Sequence, residues 1–224
     1  MKTLGIVVLG QAPRLDFTDE FLSLLPPGID IVQKGALDGL STNQILALRP
    51  KKEENKLVTM LNDGTSVNLS TMEIHKIVQC KVQELVDTGI EVVFIVCTDN
   101  FHISSSKAVI LTPFEIMKER LKIESRESTI GIIVPEKDQV QTAVDKWKQT
   151  GIKNILAGCA SPYKDFTEVL STANRLKKSG SDKILLDCMG FSKIMADNIK
   201  QETGIPVLLP RKICADVVGR YLLP

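Results

Sequence analysis

The sequence lacks any long apolar run and any excess of charge of one sign. No stretch reaches the roughly 18 to 20 consecutive apolar residues that a membrane-spanning helix needs. The 28 lysines and arginines balance 27 aspartates and glutamates, which leaves a formal net charge of +1. Nucleic-acid binding usually requires a basic surface, so this balance argues against such a partner. We therefore expect no membrane and no nucleic acid among the partners, and we expect small molecules instead.

Motifs that would bind a metal or a nucleotide are also missing. Five cysteines are spread singly through the chain without a CxxC pair, and only two histidines are present to complete a zinc site. The chain has no Walker loop, and no GxGxxG follows a predicted strand. We therefore expect neither a metal nor a cofactor.

The cysteine count and the amino-terminal segment bear on location. An odd number of cysteines argues against a disulfide framework, so the thiols indicate a reducing compartment. The first apolar run ends at Gly10 without a small-residue cleavage pattern, so we interpret it as a strand rather than a signal peptide. The expected location is the cytoplasm.

Six apolar runs rich in β-branched residues have the length of buried strands. They cover residues 4–9, 90–96, 130–134, 154–157, 184–186 and 207–209. Each run is continuous rather than alternating, which is typical of parallel strands covered on both faces. Helical patterns cover residues 70–88, 138–150, 163–179 and 191–203. The alternation predicts an α/β fold with mainly parallel sheets flanked by helices.

Glycines mark the expected ends of helices and turns. Gly89, Gly151, Gly180 and Gly204 each stand where a predicted helix should end, and glycine adopts the left-handed conformation needed there at little cost. Residues 31–68 do not fit the strand-and-helix alternation, but they contain Asn-Asp-Gly at residues 62–64, which predicts a hairpin turn.

A weak internal repeat predicts two similar α/β halves. LGIVVLG at residues 4–10 is echoed by IGIIVPE at residues 130–136, and each is followed further along by a strand that ends in a cysteine. We expect residues 1–112 to form the first half and residues 113–204 to form the second. Residues 205–224 should complete the first half, because the last strand and helix need a surface to pack on.

The two cysteines that end predicted strands are the leading catalytic candidates. Cys97 follows FIV and Cys188 follows LLD, so both should lie at carboxyl ends of parallel strands, where ligands bind in open α/β sheets. A thiol near a helix N-terminus has a lowered pKa, which makes it a better base. If the two halves face each other across a cleft, one sulfur could remove a proton from a carbon while the other delivers a proton to the opposite face.

The residues after each cysteine suit the binding of a small carboxylate substrate. Thr98, Asp99 and Asn100 follow the first cysteine, and Met189 and Gly190 follow the second. Hydroxyl, amide and backbone N–H groups of this kind can hold a carboxylate or a developing enolate oxygen if they are fixed beforehand.

The loop after the first predicted strand offers two further candidates for substrate binding. Gln11 can donate an amide hydrogen bond, and Arg14 can bind a carboxylate in bidentate fashion. The alternative is a solvated arginine in a turn built by Gly10 and Pro13. Asp16 fits the start of the next helix.

Three other polar residues, His75, His102 and Asp187, can be explained by structural roles as well as by functional ones. His75 fits a surface or interface position in a helix, whereas His102 could either assist the nearby thiol or be a solvated loop residue. Asp187 should orient a loop or contact a helix N-terminus, because a buried carboxylate needs hydrogen bonds.

The other three cysteines are weaker candidates. Cys80 and Cys214 lie within predicted helices and are interpreted as small core residues. Cys159 fits either a site loop or a packed turn.

The sequence also resembles known proteins at two levels, a superfamily and a family within it. The pair of strand-end cysteines resembles the aspartate/glutamate racemase superfamily, which includes amino-acid and hydantoin racemases, maleate isomerases and arylmalonate decarboxylases. GQAPR, LNDG, GIIVP, LLDCMGF and PVLLP together resemble the AroM family over nearly the whole chain, and LLDCMGF is the most distinctive of the five. AroM-like sequences can carry serine at the position of Cys97, which makes Cys188 the better candidate. Superfamily members are often homodimers, so the resemblance allows a homodimer.

Residues and resemblance together lead to two functional hypotheses. The first is a cofactor-independent racemase, isomerase or decarboxylase of a small carboxylate that uses cysteine acid/base chemistry. The second is a non-catalytic protein of the same fold that binds a small carboxylate and leaves its thiols idle.

Overall fold

A computed structural model describes residues 2–52 and 54–223, so Met1, Glu53 and Pro224 of the predicted halves lie outside the described residues. Within the described residues, strands and helices mostly alternate. The strands are β1 (Lys2–Val8), β2 (Ile29–Gly35), β3 (Lys56–Met60), β4 (Ser66–Ser70), β5 (Val92–Val96), β6 (Val109–Leu111), β7 (Ile130–Val134), β8 (Ile155–Cys159), β9 (Lys183–Leu186) and β10 (Val207–Leu208). The helices are α1 (Leu15–Ser23), α2 (Thr42–Ala47), α3 (Thr71–Asp87), α4 (Pro113–Glu124), α5 (Gln139–Lys148), α6 (Phe166–Lys178), α7 (Lys193–Thr203) and α8 (Pro210–Leu222).

The elements predicted from the sequence are confirmed, with ends that differ by at most three residues. The six apolar runs form β1, β5, β7, β8, β9 and β10, and the four helical patterns form α3, α5, α6 and α7. The hairpin of β3 and β4 turns at residues 62–64, and Gly64 has a positive φ of 82°. Gly204 ends α7 with a φ of 73°, in the left-handed conformation expected of it.

Two four-stranded parallel sheets repeat one strand order. The first sheet has the order β2-β1-β5-β6, and the second, read from its other edge, has the order β8-β7-β9-β10. In both sheets the first strand of the repeat pairs with the next strand along the chain and with the strand before a cysteine, all in parallel. The two similar α/β halves are therefore present, and Cys97 and Cys188 follow equivalent strands.

The chain divides into two compact units. One consists of Met1–Pro113 and Asp216–Pro224, and the other of Phe114–Ala215. β10 pairs with β9 in the second sheet, so the chain rejoins the first unit within α8 rather than at Ile205. The repeat gives the reason, because β10 occupies the place in its sheet that β6 occupies in the first.

Each unit has its own apolar core. In the first, α3 packs Ile74, Val78 and Leu85 against the sheet. In the second, Trp147 of α5 lies with Phe114 and Met117 of α4 on one face of the sheet. The other face is covered by α6 and α7 through residues such as Val169 and Ile199. Among the described residues, none of the helices has the length and apolar character needed to cross a membrane.

Candidate functional site

Cys188 lies in a short turn at the carboxyl end of β9. We call residues 188–190 the Cys188 loop. The N–H of Asp187 still donates to the carbonyl of Ile133 on β7 at 2.9 Å, so the sheet ends immediately before the thiol. The N–H of Gly190 then points back at the sulfur, 3.3 Å from Sγ. A backbone donor in this position favours the charged form of a thiol.

Cys97 repeats this geometry in the first unit. We call residues 97–100 the Cys97 loop. The N–H of Asp99 lies 3.4 Å from Sγ of Cys97, two residues along as in the Cys188 loop. The N–H of each cysteine donates to the carbonyl two residues before it, at 3.0 Å for Cys97 and 2.8 Å for Cys188. Both cysteine residues are half-buried.

A histidine that the sequence placed on a surface or interface is joined to the Cys97 loop. Nε2 of His75, on α3, lies 2.8 Å from Oδ2 of Asp99. The His75 ring also packs on Phe101, with ring centroids 4.1 Å apart. These contacts fix the side chain of Asp99 while its N–H faces the sulfur. His102, by contrast, is exposed, which favours its interpretation as a solvated loop residue.

Two polar residues of the Cys97 loop, Thr98 and Asn100, have buried atoms. Thr98 is buried. The buried Oδ1 of Asn100 accepts no hydrogen bond from any of residues 2–52 and 54–223. An unmet buried acceptor is costly, and in a native structure it calls for a specific explanation such as a functional role.

The loop at residues 10–14 is fixed by contacts within the first unit. Oε1 of Gln11 accepts the N–H of Asn62 at 3.0 Å, so the β3–β4 turn is attached to this loop. Asp38 accepts the N–H of Ala12 at 2.8 Å. A Cβ on Gly10 would lie 2.1 Å from the carbonyl oxygen of Met60, so only glycine permits this approach. Gln11 therefore serves a structural contact in addition to any role toward a ligand.

Arg14 binds a carboxylate of its own chain. Its Nε and Nη2 donate to Oδ1 and Oδ2 of Asp16 at 2.7 and 2.6 Å. Nη1 donates to the hydroxyl of Thr59 at 3.4 Å. The bidentate face that the sequence assigned to a substrate is thus occupied by Asp16, in the first turn of α1.

Asp187 is a buried anchor behind Cys188. Its Oδ2 accepts the indole N–H of Trp147 at 2.7 Å and lies 2.8 Å from Nζ of Lys146. Both partners belong to the last turn of α5, so these two contacts lie near the C-terminus of that helix. A cation and a ring donor together offset the desolvation of this carboxylate.

Two residues that the sequence did not single out shape the Cys188 loop. Arg211, at the start of α8, donates from Nε to the carbonyl of Met189 at 2.7 Å and from Nη2 to the carbonyl of Gly190 at 3.1 Å. Tyr163 packs so closely that a Cβ on Gly190 would lie 2.5 Å from its hydroxyl oxygen. Both contacts join segments far apart in the chain, so no local sequence signal revealed them.

The remaining cysteines differ in burial. Cys214 is fully buried as predicted, and burial raises the pKa of its thiol. The core prediction for Cys80 is wrong, because Val78 and Val82 of α3 face the core and Cys80 is exposed between them. Cys159 is the last residue of β8 and is half-buried. In the described parts of the chain, no group of three or more His, Cys, Asp or Glu side chains is arranged to hold a metal ion.

A comparison with models of known protein families identifies the family of the chain. The family model described as AroM protein matches residues 4–222. The chain belongs to the AroM family. No curated protein matches this AroM family member by sequence.

Solved structures show that the AroM chain has the fold of the aspartate/glutamate racemases. It is similar to allantoin racemase from Klebsiella pneumoniae, with a TM-score of 0.62, 14% identity and coverage of 99% of this chain and 88% of that chain. It is similar to unliganded arylmalonate decarboxylase, with a TM-score of 0.63, 15% identity and coverage of 98% and 92%. It is also similar to the maleate cis-trans isomerase of Nocardia farcinica, with a TM-score of 0.62, 16% identity and coverage of 99% and 92%. These likenesses establish the fold.

Proposed function

We propose that this AroM family member catalyses proton transfer at a carbon next to a carboxylate, without a cofactor, and that Cys188 is the catalytic acid/base. The observation that carries the proposal is the Cys188 loop, where Sγ of a half-buried cysteine at a strand end lies 3.3 Å from the backbone N–H of Gly190. That donor stabilises a thiolate, which is the form that removes a proton. A thiol in this role needs a reducing environment, which is consistent with the cytoplasm.

The proposed chemistry needs only the thiol and the substrate. The thiolate takes the proton from the carbon next to the carboxylate, and the electron pair of the broken C–H bond remains as an enolate. A proton delivered to the other face gives the opposite stereoisomer. In a decarboxylation, CO₂ leaves with formation of the same enolate, and the thiol then supplies the proton. Proteins of this fold include an aspartate racemase and an arylmalonate decarboxylase, which supports this range.

Cys97 is proposed as the partner acid/base. Its sulfur has the same N–H neighbour and follows the equivalent strand. That both sulfurs serve one substrate stays a prediction, as do substrate contacts from Gln11, Thr98 and Asn100. The N–H groups of Asp99 and Gly190 face sulfur, so we propose that they support the thiols rather than the carboxylate.

Deuterium exchange tests the proposal without knowledge of the reaction. The protein is incubated in D₂O with an arylmalonate, L-aspartate and L-glutamate. NMR follows the exchange of the C–H next to the carboxylate and the loss of CO₂, and polarimetry follows the two chiral amino acids. We expect exchange, racemisation or CO₂ release with at least one compound. Cys188→Ser should reduce that rate by about 10²-fold or more, since a serine hydroxyl is a far poorer acid/base near neutral pH.

Matched serine variants complete the test. Cys80→Ser alters an exposed thiol on α3 and should leave the rate unchanged. Loss of rate in Cys97→Ser supports two-sided proton transfer, whereas retention supports one-sided chemistry such as decarboxylation. Wild-type turnover by Cys188→Ser contradicts the proposal. Binding of these carboxylates without any turnover supports the non-catalytic hypothesis instead.

A further inference from the structure

Arg211 is a fully buried cation that the proposed chemistry does not yet use. Its side chain is among the largest buried ones, and the residue is 2% exposed. Burying a guanidinium costs free energy, and apolar side chains of similar volume often replace buried charges without loss of stability. A guanidinium at this position therefore needs well-placed hydrogen-bond partners, and the groups that it binds indicate its role.

The parallel sheet brings this charge to the Cys188 loop. β10 pairs with β9 in the register Leu208 to Leu185, so residues 209–211 emerge beside residues 187–190 at the same edge of the sheet. From there the guanidinium binds two successive carbonyls, those of Met189 and Gly190, at 2.7 and 3.1 Å. The peptide groups that follow the thiol are therefore held by one rigid, planar donor.

We propose that Arg211 is a positioning residue that holds the Cys188 loop in the turn where the Gly190 N–H faces Sγ, and that its permanent charge favours the thiolate of Cys188. The carbonyl of Met189 and the N–H of Gly190 belong to one trans peptide and point in opposite directions. Because Arg211 binds that carbonyl, the N–H on the other side of the peptide is directed at the sulfur. The same bond places a permanent cation on the carbonyl side of that peptide, where it strengthens the peptide dipole directed at Sγ and so lowers the cost of ionising the thiol. The catalytic consequence rests on the function proposed above, whereas the effect on the thiol does not.

The Cys97 loop provides an internal contrast. It has the same turn, but its anchor is the contact between His75 and Asp99 instead of an arginine. Removing Arg211 should therefore affect Cys188 and leave Cys97 as it was.

Thiol alkylation tests the proposal directly, because each cysteine lies on its own tryptic peptide. Cys188 lies on residues 184–193, Cys97 on residues 82–107, and Cys214 on residues 213–220. Iodoacetamide rates are measured by mass spectrometry from pH 5.5 to 9 in wild type, Arg211→Met and Arg211→Lys. Methionine keeps much of the length without the charge, and lysine keeps the charge without the planar fork.

For Arg211→Met we expect Cys188 to react about tenfold more slowly at pH 7, with its rate profile moved to higher pH by about one unit. The rate at Cys97 should stay within twofold of wild type. Arg211→Lys should restore much of the pH profile but not the full rate, because lysine supplies a point charge and cannot hold both carbonyls. Unchanged Cys188 rates in both variants overturn the proposal.

Cys214 reports whether a variant is folded, since it is fully buried in the native protein. If Cys214 becomes reactive in Arg211→Met, Arg211→Lys carries the test alone, and a Cys188 rate equal to wild type at every pH then overturns the positioning role. The labelling result tests the role of Arg211 separately from the proposed catalytic function. Slower labelling of Cys188 in a protein that turns over no substrate supports the role of Arg211 and contradicts the catalytic proposal.

Discussion

The two strand-end cysteines have the same local hydrogen bonds and different neighbours. The sequence predicts their positions, because an apolar run that ends at a thiol followed by turn residues is a local pattern. It does not predict that His75 reaches Asp99 or that Arg211 reaches Gly190, since those pairs are separated by 24 and 21 residues. Such contacts depend on the register of elements that meet only in the folded chain.

Cys214 gives a prediction at the scale of one residue. Burial raises the pKa of its thiol in the folded state, so the unfolded chain ionises first as the pH rises. The neutral buried thiol therefore contributes its full stabilisation of the folded state below the unfolded thiol's pKa of about 8.5. Above that pH the unfolded chain ionises, and this stabilisation is progressively lost. Each further pH unit should cost up to about 1.4 kcal/mol of unfolding free energy.

Denaturant unfolding of wild type and Cys214→Ala between pH 7 and 10 checks this prediction. The variant should be less stable at pH 7, because a buried side chain is shortened, but the difference should shrink as the pH rises. A difference that stays constant up to pH 10 would contradict the assigned cause.

At the scale of elements, the sequence indicates buried strands better than half-exposed ones. The six continuous apolar runs are all strands, whereas β2, which reads IDIVQKG, was not predicted. β2 is an edge strand that is mostly half-buried and includes Asp30, Gln33 and Lys34, so its signal is weaker than that of a continuous buried apolar run. α4 was also missed, although Phe114, Met117 and Leu121 follow helical spacing and face the core.

The end of α4 carries a testable ion pair. Lys183, at the start of β9, bonds the carboxylate of Glu124 and holds the pKa of that carboxyl below its usual value; Arg120 adds to the effect. Glu124→Gln should therefore lower the unfolding free energy at pH 7 by about 1 kcal/mol.

The pH dependence of this effect has a definite sign. Because the folded pKa of Glu124 is depressed, the stabilisation is present above the unfolded pKa and is lost as the pH falls through the folded one. The difference between wild type and Glu124→Gln should therefore vanish in acid. Glu119→Gln is the matched control in the same helix, since Glu119 pairs with Lys122 at the exposed surface and its loss should leave stability nearly unchanged. Equal effects from the two variants would contradict the prediction.

At the scale of the whole molecule, the repeat predicts two halves but not where the chain returns to the first. The sequence places that return at Ile205, because the last strand and helix need packing surfaces. Strand pairing keeps β10 with β9 in the second unit. Of the residues after Ile205, only Asp216–Pro224 belong to the first unit. The spatial order of strands depends on non-local pairing, which a single sequence does not encode in any local pattern.

The discontinuous first unit predicts that its last residues matter for stability. Leu222 is 4% exposed, whereas its neighbour Tyr221 is 48% exposed. Leu222→Ala should lower the unfolding free energy by about 2 to 5 kcal/mol, as is typical of a buried leucine. Tyr221→Ala should change it by about 0.5 kcal/mol or less. Thermal unfolding of both variants checks the prediction, and similar losses in the two would contradict it.

The pairing of Arg14 with Asp16 has a consequence for ligand affinity. Any external acid that uses this guanidinium must displace a carboxylate tethered two positions away, which competes at high effective concentration. An intramolecular competitor of this kind weakens capture of a free anion and excludes weak ones. If Arg14 takes part in recognition, selectivity at that point reflects which molecules outcompete the chain's own side chain.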